Sequence, residues 1–290
     1  MINILYTILL FNILIIVFKM FQKYEVDNLQ ALIINYLTAA ICSFFFIETD
    51  FTITYILQSN WLYHAIVIGA LFIIVFYFFS LGIQQVGISI TTVANKMSLI
   101  IPVCAALILY PTQENLTLTK VMAFLLAFLG IYLSSTQGGR ITFNKKYIWL
   151  IVLVFFGQGI SDAIFNDFAQ RFNNFLAIES YLFFMTLFLM AVISGCFIYV
   201  VKSISSGIRL QLKSIFWGIV FGVPNFFSLV FFLKALEDPN ILSSEVFPLV
   251  SMGVVISSSI IGLFVFKERI TINNWIGILL SMCAIYLFSF

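Results

Sequence analysis

Charge is scarce in this 290-residue chain: 9% of its residues are charged, against 62% that are hydrophobic. A soluble domain of this size would need far more charge on its surface, so the shortage excludes a water-exposed globule and leaves a polytopic membrane protein. Histidine is nearly absent. The one histidine, His64, has no HExxH, GxSxG or paired His/Asp pattern around it, and with so little general acid/base equipment the chain does not read as an enzyme. His64 beside Trp61 and Tyr63 reads as an interfacial residue. The four cysteines, Cys42, Cys104, Cys196 and Cys283, fall in apolar runs without a CxxC pair, so neither a disulfide framework nor a metal site is expected and they read as small buried hydrophobes. No Walker motif is present, which removes direct ATP coupling, and no cofactor is implied. A net charge of +2 gives no reason to expect nucleic acid as a partner.

Long apolar runs are what the chain has instead. About twenty mainly apolar residues cross the hydrocarbon core, and ten stretches qualify: 2–19, 28–47, 62–83, 87–110, 118–136, 147–167, 174–201, 214–236, 241–266 and 271–289. None alternates as barrel strands do, so helices are the expected spanning element. Residues Met1 to Phe18 lack a basic leader and a small-residue cleavage site, and Lys19 and Lys23 follow the run, so this stretch reads as a retained first span.

The sequence also repeats. ENLTLTKVMAFLLAFLGIYL from Glu114 to Leu133 returns as ERITINNWIGILLSMCAIYL from Glu268 to Leu287, 154 residues later. The polar break at 134–146 separates five spans from five, which gives repeats over 1–139 and 140–290. An odd number of spans per half makes the second copy begin on the opposite face, so the expected fold is an all-α integral membrane protein of ten transmembrane helices in two inverted five-helix repeats. Lysine and arginine concentrate in the links after spans one, five, seven and nine, where Lys19, Lys23, Arg140, Lys145, Lys146, Lys202, Arg209, Lys213, Lys267 and Arg269 lie. The other links hold Lys120, Arg171 and Lys234. The positive-inside rule then places both termini away from the cytoplasm.

These motifs resemble the drug/metabolite transporter superfamily, EamA-like type. The resemblance rests on KALEDPNILSSEVFPLV followed by FKERITINNWIGILL, and on the opening FKMFQKYEVDNLQALIINYL. In that family a glycine usually precedes the glutamate of the second motif, where this chain has Lys267, and many members carry arginine near the positions of Asn35 and Tyr36. The resemblance implies movement of small metabolites, often export of amino acids or related compounds, through a central cavity in the cell (inner) membrane. Asn35 enters the candidate site on this ground.

A charge held inside a span costs at least about 2.5 kcal/mol, so such residues are the first candidates for function. Lys96, in the fourth span beside Asn95, reads either as a cationic contact for an anionic substrate group or as half of an ion pair locking helices. Gln158, Asp162 and Asn166 recur every four residues and share one face of the sixth span, which marks a wet cavity or packing glue. Glu245 in the ninth span, the counterpart of the fourth, faces the same pathway or caps its own helix. Pro102, Pro224 and Pro248 break intrahelical hydrogen bonds and are candidate gate hinges or static kinks. Gly218 and Gly222 form a GxxxG packing signal. The composite expectation is a secondary transporter, moving a small-molecule substrate across a lipid bilayer by alternating access, with proton coupling through Asp162 or Glu245. A flippase for a lipid-linked sugar is the alternative, and the oligomeric state is open, a monomer included.

Overall fold

The computed structural model describes residues 2–48, 50–109, 117–134, 136–137, 140–141, 145–172, 177–206, 210–236, 238, 243–267 and 271–288. The first half forms α1 (Ile2–Lys23), α2 (Asn28–Phe45), the short α3 (Ile53–Gln58), α4 (Leu62–Gln85), α5 (Ile88–Met97), α6 (Ile100–Leu109) and α7 (Leu118–Ser134). A two-residue antiparallel ladder, β1 (Thr136–Gln137) with β2 (Arg140–Ile141), and a 3-10 turn at Lys145–Tyr147 connect to the second half. There follow α8 (Ile148–Arg171), α9 (Ala177–Ser206), α10 (Leu212–Leu236), α11 (Ser243–Phe264) and α12 (Ile272–Phe288). Among the described residues six helices are long and apolar enough to cross a membrane: α1, α2, α4, and most or all of α8, α9 and α10. The protein is an all-α, multi-pass membrane protein.

Local chemistry sets the helix ends. Asp27 caps α2 by accepting from the Gln30 N–H at 2.9 Å, and Thr52 caps α3 by accepting from Tyr55 N–H. At α12 the capping is reciprocal: Thr271 N–H donates to Asn274 Oδ1 at 2.9 Å, while Asn274 N–H reaches Thr271 Oγ1 at 3.4 Å. The threonine that recurs before each repeated apolar helix thus has a structural task in the second copy. Glu114 and Glu268, its acidic companions, lie outside the described residues. Tyr55 of α3 donates its hydroxyl to Glu179 at the start of α9, and that bond, with burial and the carboxylate charge behind it, raises the phenol above its ordinary range.

The stretch 87–110, expected as one span, is two helices. Pro102 has no N–H and its ring collides with the carbonyl four residues back, which is Ser98. The chain turns at that point: Ser98 O is satisfied by Ile101 N–H at 2.9 Å, and Ser98 Oγ donates back to Asn95 O. Pro224 by contrast sits inside α10, which continues through it. Pro248 lies in the backbone of α11, but its side chain and that of Glu245 are outside the described residues.

Packing runs mainly between the halves. Helix α2 lies on α9 and α10, α1 on α10 and α11, α4 on α8 and α9, α5 on α8 and α11, α6 on α8, and α7 on α12. Residues 1–139 and 140–290 therefore interleave, and each half completes the other's core. Because lipid supplies no hydrophobic drive for helices to associate, close contact has to come from shape. At Gly218 and Gly222 a Cβ would stand 2.7 Å from Ala31 O and from Asn35 O, so the GxxxG of α10 is where the backbones of α2 and α10 touch. Aromatic rings fill the middle. Phe18 of α1 meets Phe76 and Phe79 of α4 and Phe221 of α10, with centroids 4.5 to 6.1 Å apart. The repeated helices α7 and α12 pack antiparallel: Asn274, at the start of one, donates to Leu133 O, at the end of the other. All four cysteines are free, and Cys196 and Cys283 are exposed on the outer surface, where a buried position had been expected.

Two substitutions test this packing. Gly222→Leu forces a side chain against Asn35 O and should cost about 1–3 kcal/mol, read as a fall of several degrees in the melting temperature of the detergent-solubilised protein. Lys267 has φ 53°, a left-handed conformation that glycine adopts freely. Lys267→Gly should raise the same melting temperature, and no change or a fall would show that this strain is absent.

Candidate functional site

A cavity of about 90 Å³ lies between α1, α4, α5, α8, α10 and α11, walled by residues of both halves. That is space for several waters, or for a small molecule that displaces them. Its apolar wall is aromatic: Phe11, Phe72, Phe76, Phe165 and Phe232. Its polar wall contains two of the three charges singled out in the sequence, Lys96 and Asp162.

Lys96 belongs to the last turn of α5, just before the break imposed by Pro102. A cation there is favoured by the helix dipole. Its ammonium stands 3.8 Å from the centroid of the Phe11 ring of α1, and among the described residues it has no hydrogen-bond or ion-pair partner. A desolvated cation–π contact is worth about 2 kcal/mol, which holds the charge without using its N–H donors. Those donors remain for a ligand.

Asp162 is held differently. Asn95 Nδ2 donates to Gln158 Oε1 at 3.0 Å, and Gln158 Nε2 donates to Asp162 Oδ1 at 2.7 Å. The spacing of four between Gln158 and Asp162 makes the second bond possible within α8, and the first ties α8 to α5. Gln158, in the middle, orients both ends. Asn95 Oδ1 is buried and unpartnered. Lys96 and Asp162 thus share one cavity and attract each other across it without a direct ion pair.

Other candidates fall elsewhere. Asn166, one turn beyond Asp162, does not line the cavity. Asn35 is wholly buried behind the wall, where its Oδ1 accepts from Asn225 Nδ2 of α10 at 3.0 Å. Asn225 does line the cavity, as do Thr7, Ser228 and Ser251, and sequence reading passed over all four. They carry no charge, and one amide or hydroxyl in an apolar helix gives little signal. Asp167 pairs with His64 Nε2 at 3.0 Å and with Arg171 Nε at 2.9 Å, clamping the end of α8 to the start of α4 outside the cavity. The interfacial reading of His64 gains a partner 103 residues away.

Gln158→Leu should orphan Asn95 Nδ2 and one oxygen of Asp162 at about 1–3 kcal/mol for each buried group, lowering the melting temperature by more than Asn166→Leu does. Equal effects would remove Gln158 from its central place.

Comparison with known proteins adds one relative and one fold. An uncharacterized protein of Haemophilus influenzae is 30% identical over 290 residues, covering 98% of this chain and 96% of its own. A protein of known crystal structure shares the fold at a TM-score of 0.63, with 14% identity over 99% of this chain and 94% of that one. No family model matches.

Proposed function

The chain belongs to one family with the uncharacterized Haemophilus influenzae protein, and we propose that it is a secondary transporter of the drug/metabolite type, moving a small polar metabolite across the cell membrane by alternating access. The observation that carries this reading is the cavity between the halves, with an unpaired ammonium on one part of its wall and an oriented carboxylate on another.

Ten membrane segments arise when α5 and α6 count as one broken span and α3 is left outside. Exchanging each segment of one half for its counterpart in the other then maps the largest contacts between the halves onto one another. The pair α1 with α10 corresponds to α8 with α4, α2 with α10 to α9 with α4, and α1 with α11 to α8 with α5 and α6; α2 with α9, α7 with α12 and α5 with α11 correspond to themselves. A polar bond joins each of two exchanged helix pairs: Asn12 of α1 donates to Ser257 of α11 at 2.7 Å, and Asn95 of α5 donates to Gln158 of α8 at 3.0 Å. Antiparallel packing of α7 on α12 fits the inversion. Two inverted five-helix repeats account for these correspondences together, and such repeats place substrate sites near the bilayer midplane at the repeat interface.

The cavity's charges suit a cargo whose own charges cancel, such as an amino acid: a carboxylate to Lys96, an ammonium toward Asp162, and an apolar part among the phenylalanines. Asp162 is also the carboxylate through which proton coupling would run. Efflux from proteoliposomes, with and without a pH gradient, tests the proposal. Lys96→Ala should lower flux at least about tenfold, one hydrogen-bonded charge contact being worth about 1.5–3 kcal/mol, while the protein remains folded by size exclusion. Unchanged flux would remove Lys96 from the site, and no flux of any amino acid or related metabolite by the unaltered protein would overturn the proposal. Flux confined to lipid-linked sugars would replace it with the flippase reading.

A further inference from the structure

Resting on that transport reading, we propose that Asn225 is a substrate-contact residue and Asn35 its positioning residue, the two forming on the α10 side of the cavity an amide-oxygen subsite for an N–H donor of the cargo. Asn225 is 2% exposed and still lines the cavity. Its Nδ2 is committed to Asn35 Oδ1 at 3.0 Å. That bond uses one of the two amide hydrogens, and the side-chain oxygen, which accepts from no described residue, is the acceptor the amide can present to the cavity. On the α5 side Asn95 Oδ1 is another amide oxygen without a donor, while Gln158 spends both ends of its amide on Asn95 and Asp162, so Asn225 supplies the amide acceptor of the α10 side.

The surrounding helix holds that acceptor in place. One turn earlier, the missing Cβ of Gly222 lets α10 approach Asn35 O, and this close approach is what brings the two asparagines within hydrogen-bond distance. Ser228 Oγ donates to the backbone carbonyl of Asn225 at 2.8 Å, tying the following turn to the same residue. Asn35 has its own Nδ2 buried without a partner. An orphaned donor in a membrane interior is costly, and Asn35 is therefore poorly explained as packing alone. Orienting Asn225 accounts for its presence on the face of α2 that meets α10. With the Lys96 ammonium as donor and the Asn225 oxygen as acceptor, the cavity selects a cargo that carries both an acceptor and an N–H donor.

The test compares each amino acid with the same molecule lacking its amine. The twenty proteinogenic L-amino acids are screened for thermal stabilisation of the detergent-solubilised protein, and Kd is then measured for each one that binds and for its des-amino carboxylic acid. The unaltered protein should prefer the free amine by about tenfold or more, the value of one hydrogen bond. Asn225→Leu and Asn35→Leu should both lower the ratio several-fold, leaving the share that Asp162 contributes. Asn35→Asp, which keeps an oxygen to accept from Asn225, should restore it. Each variant is scored only as a monodisperse folded species, and the ratio of two ligands on one protein is insensitive to a general loss of stability. Retention of the full preference by folded Asn225→Leu would overturn the subsite and leave the transport reading standing. Failure of Asn35→Asp to restore the ratio would remove Asn35 as the positioning residue. Binding of none of the twenty by the unaltered protein would overturn the amino-acid cargo, and the subsite with it.

Discussion

Hydrocarbon offers no hydrogen-bond partner, so every polar group this chain carries into the membrane has to be answered by another part of the chain. The backbone answers itself by being helical. Side chains answer one another across helices: Asn12 with Ser257, Asn95 with Gln158, Asn35 with Asn225, and Ser43 with the carbonyl of Tyr181. Each of these bonds joins a first-half residue to a second-half residue. The polar inventory is thus the glue of the interleaved architecture, and the contacts of small and aromatic residues supply the shape that lets the glue reach.

The cavity is where this accounting stays open. Lys96 has a ring where an anion would be, Asn95 has an oxygen with no donor, and Asp162 is oriented without being neutralised by an ion pair. At the end of α8 a carboxylate is answered by ion pairs. Asp167, five residues after Asp162 on the same helix, is held by His64 and Arg171. Two aspartates on one helix therefore have different tasks, one spent on structure and the other kept for a ligand, and the difference lies in what the neighbouring helices bring to each.

Much of the fold was legible because membrane spans declare themselves by length and composition. The expected fourth span needed more than hydropathy: Pro102 was visible, but placing the break at Ser98 follows from the carbonyl four residues before it. In the site, Lys96, Asn95, Gln158 and Asp162 stood out because charge and amides are rare in such helices. Their convergence was not readable, since it depends on α5 crossing α8. Asn225 was invisible for the opposite reason. It looks like any lone asparagine in an apolar helix until its partner on α2 and its place in the wall are known. Asn35 was noticed through resemblance, and its position behind Asn225 changes what it can do.

Exchange of access between the two membrane faces is the central claim, and a cysteine in the cavity wall reads it directly. Ser228→Cys is made in a chain whose four own cysteines are replaced, and a membrane-impermeant thiol reagent is applied from one side or the other. The account predicts labelling from both faces, with protection when the transported compound is present in excess. Labelling from one face only, under every condition that supports flux, would contradict it.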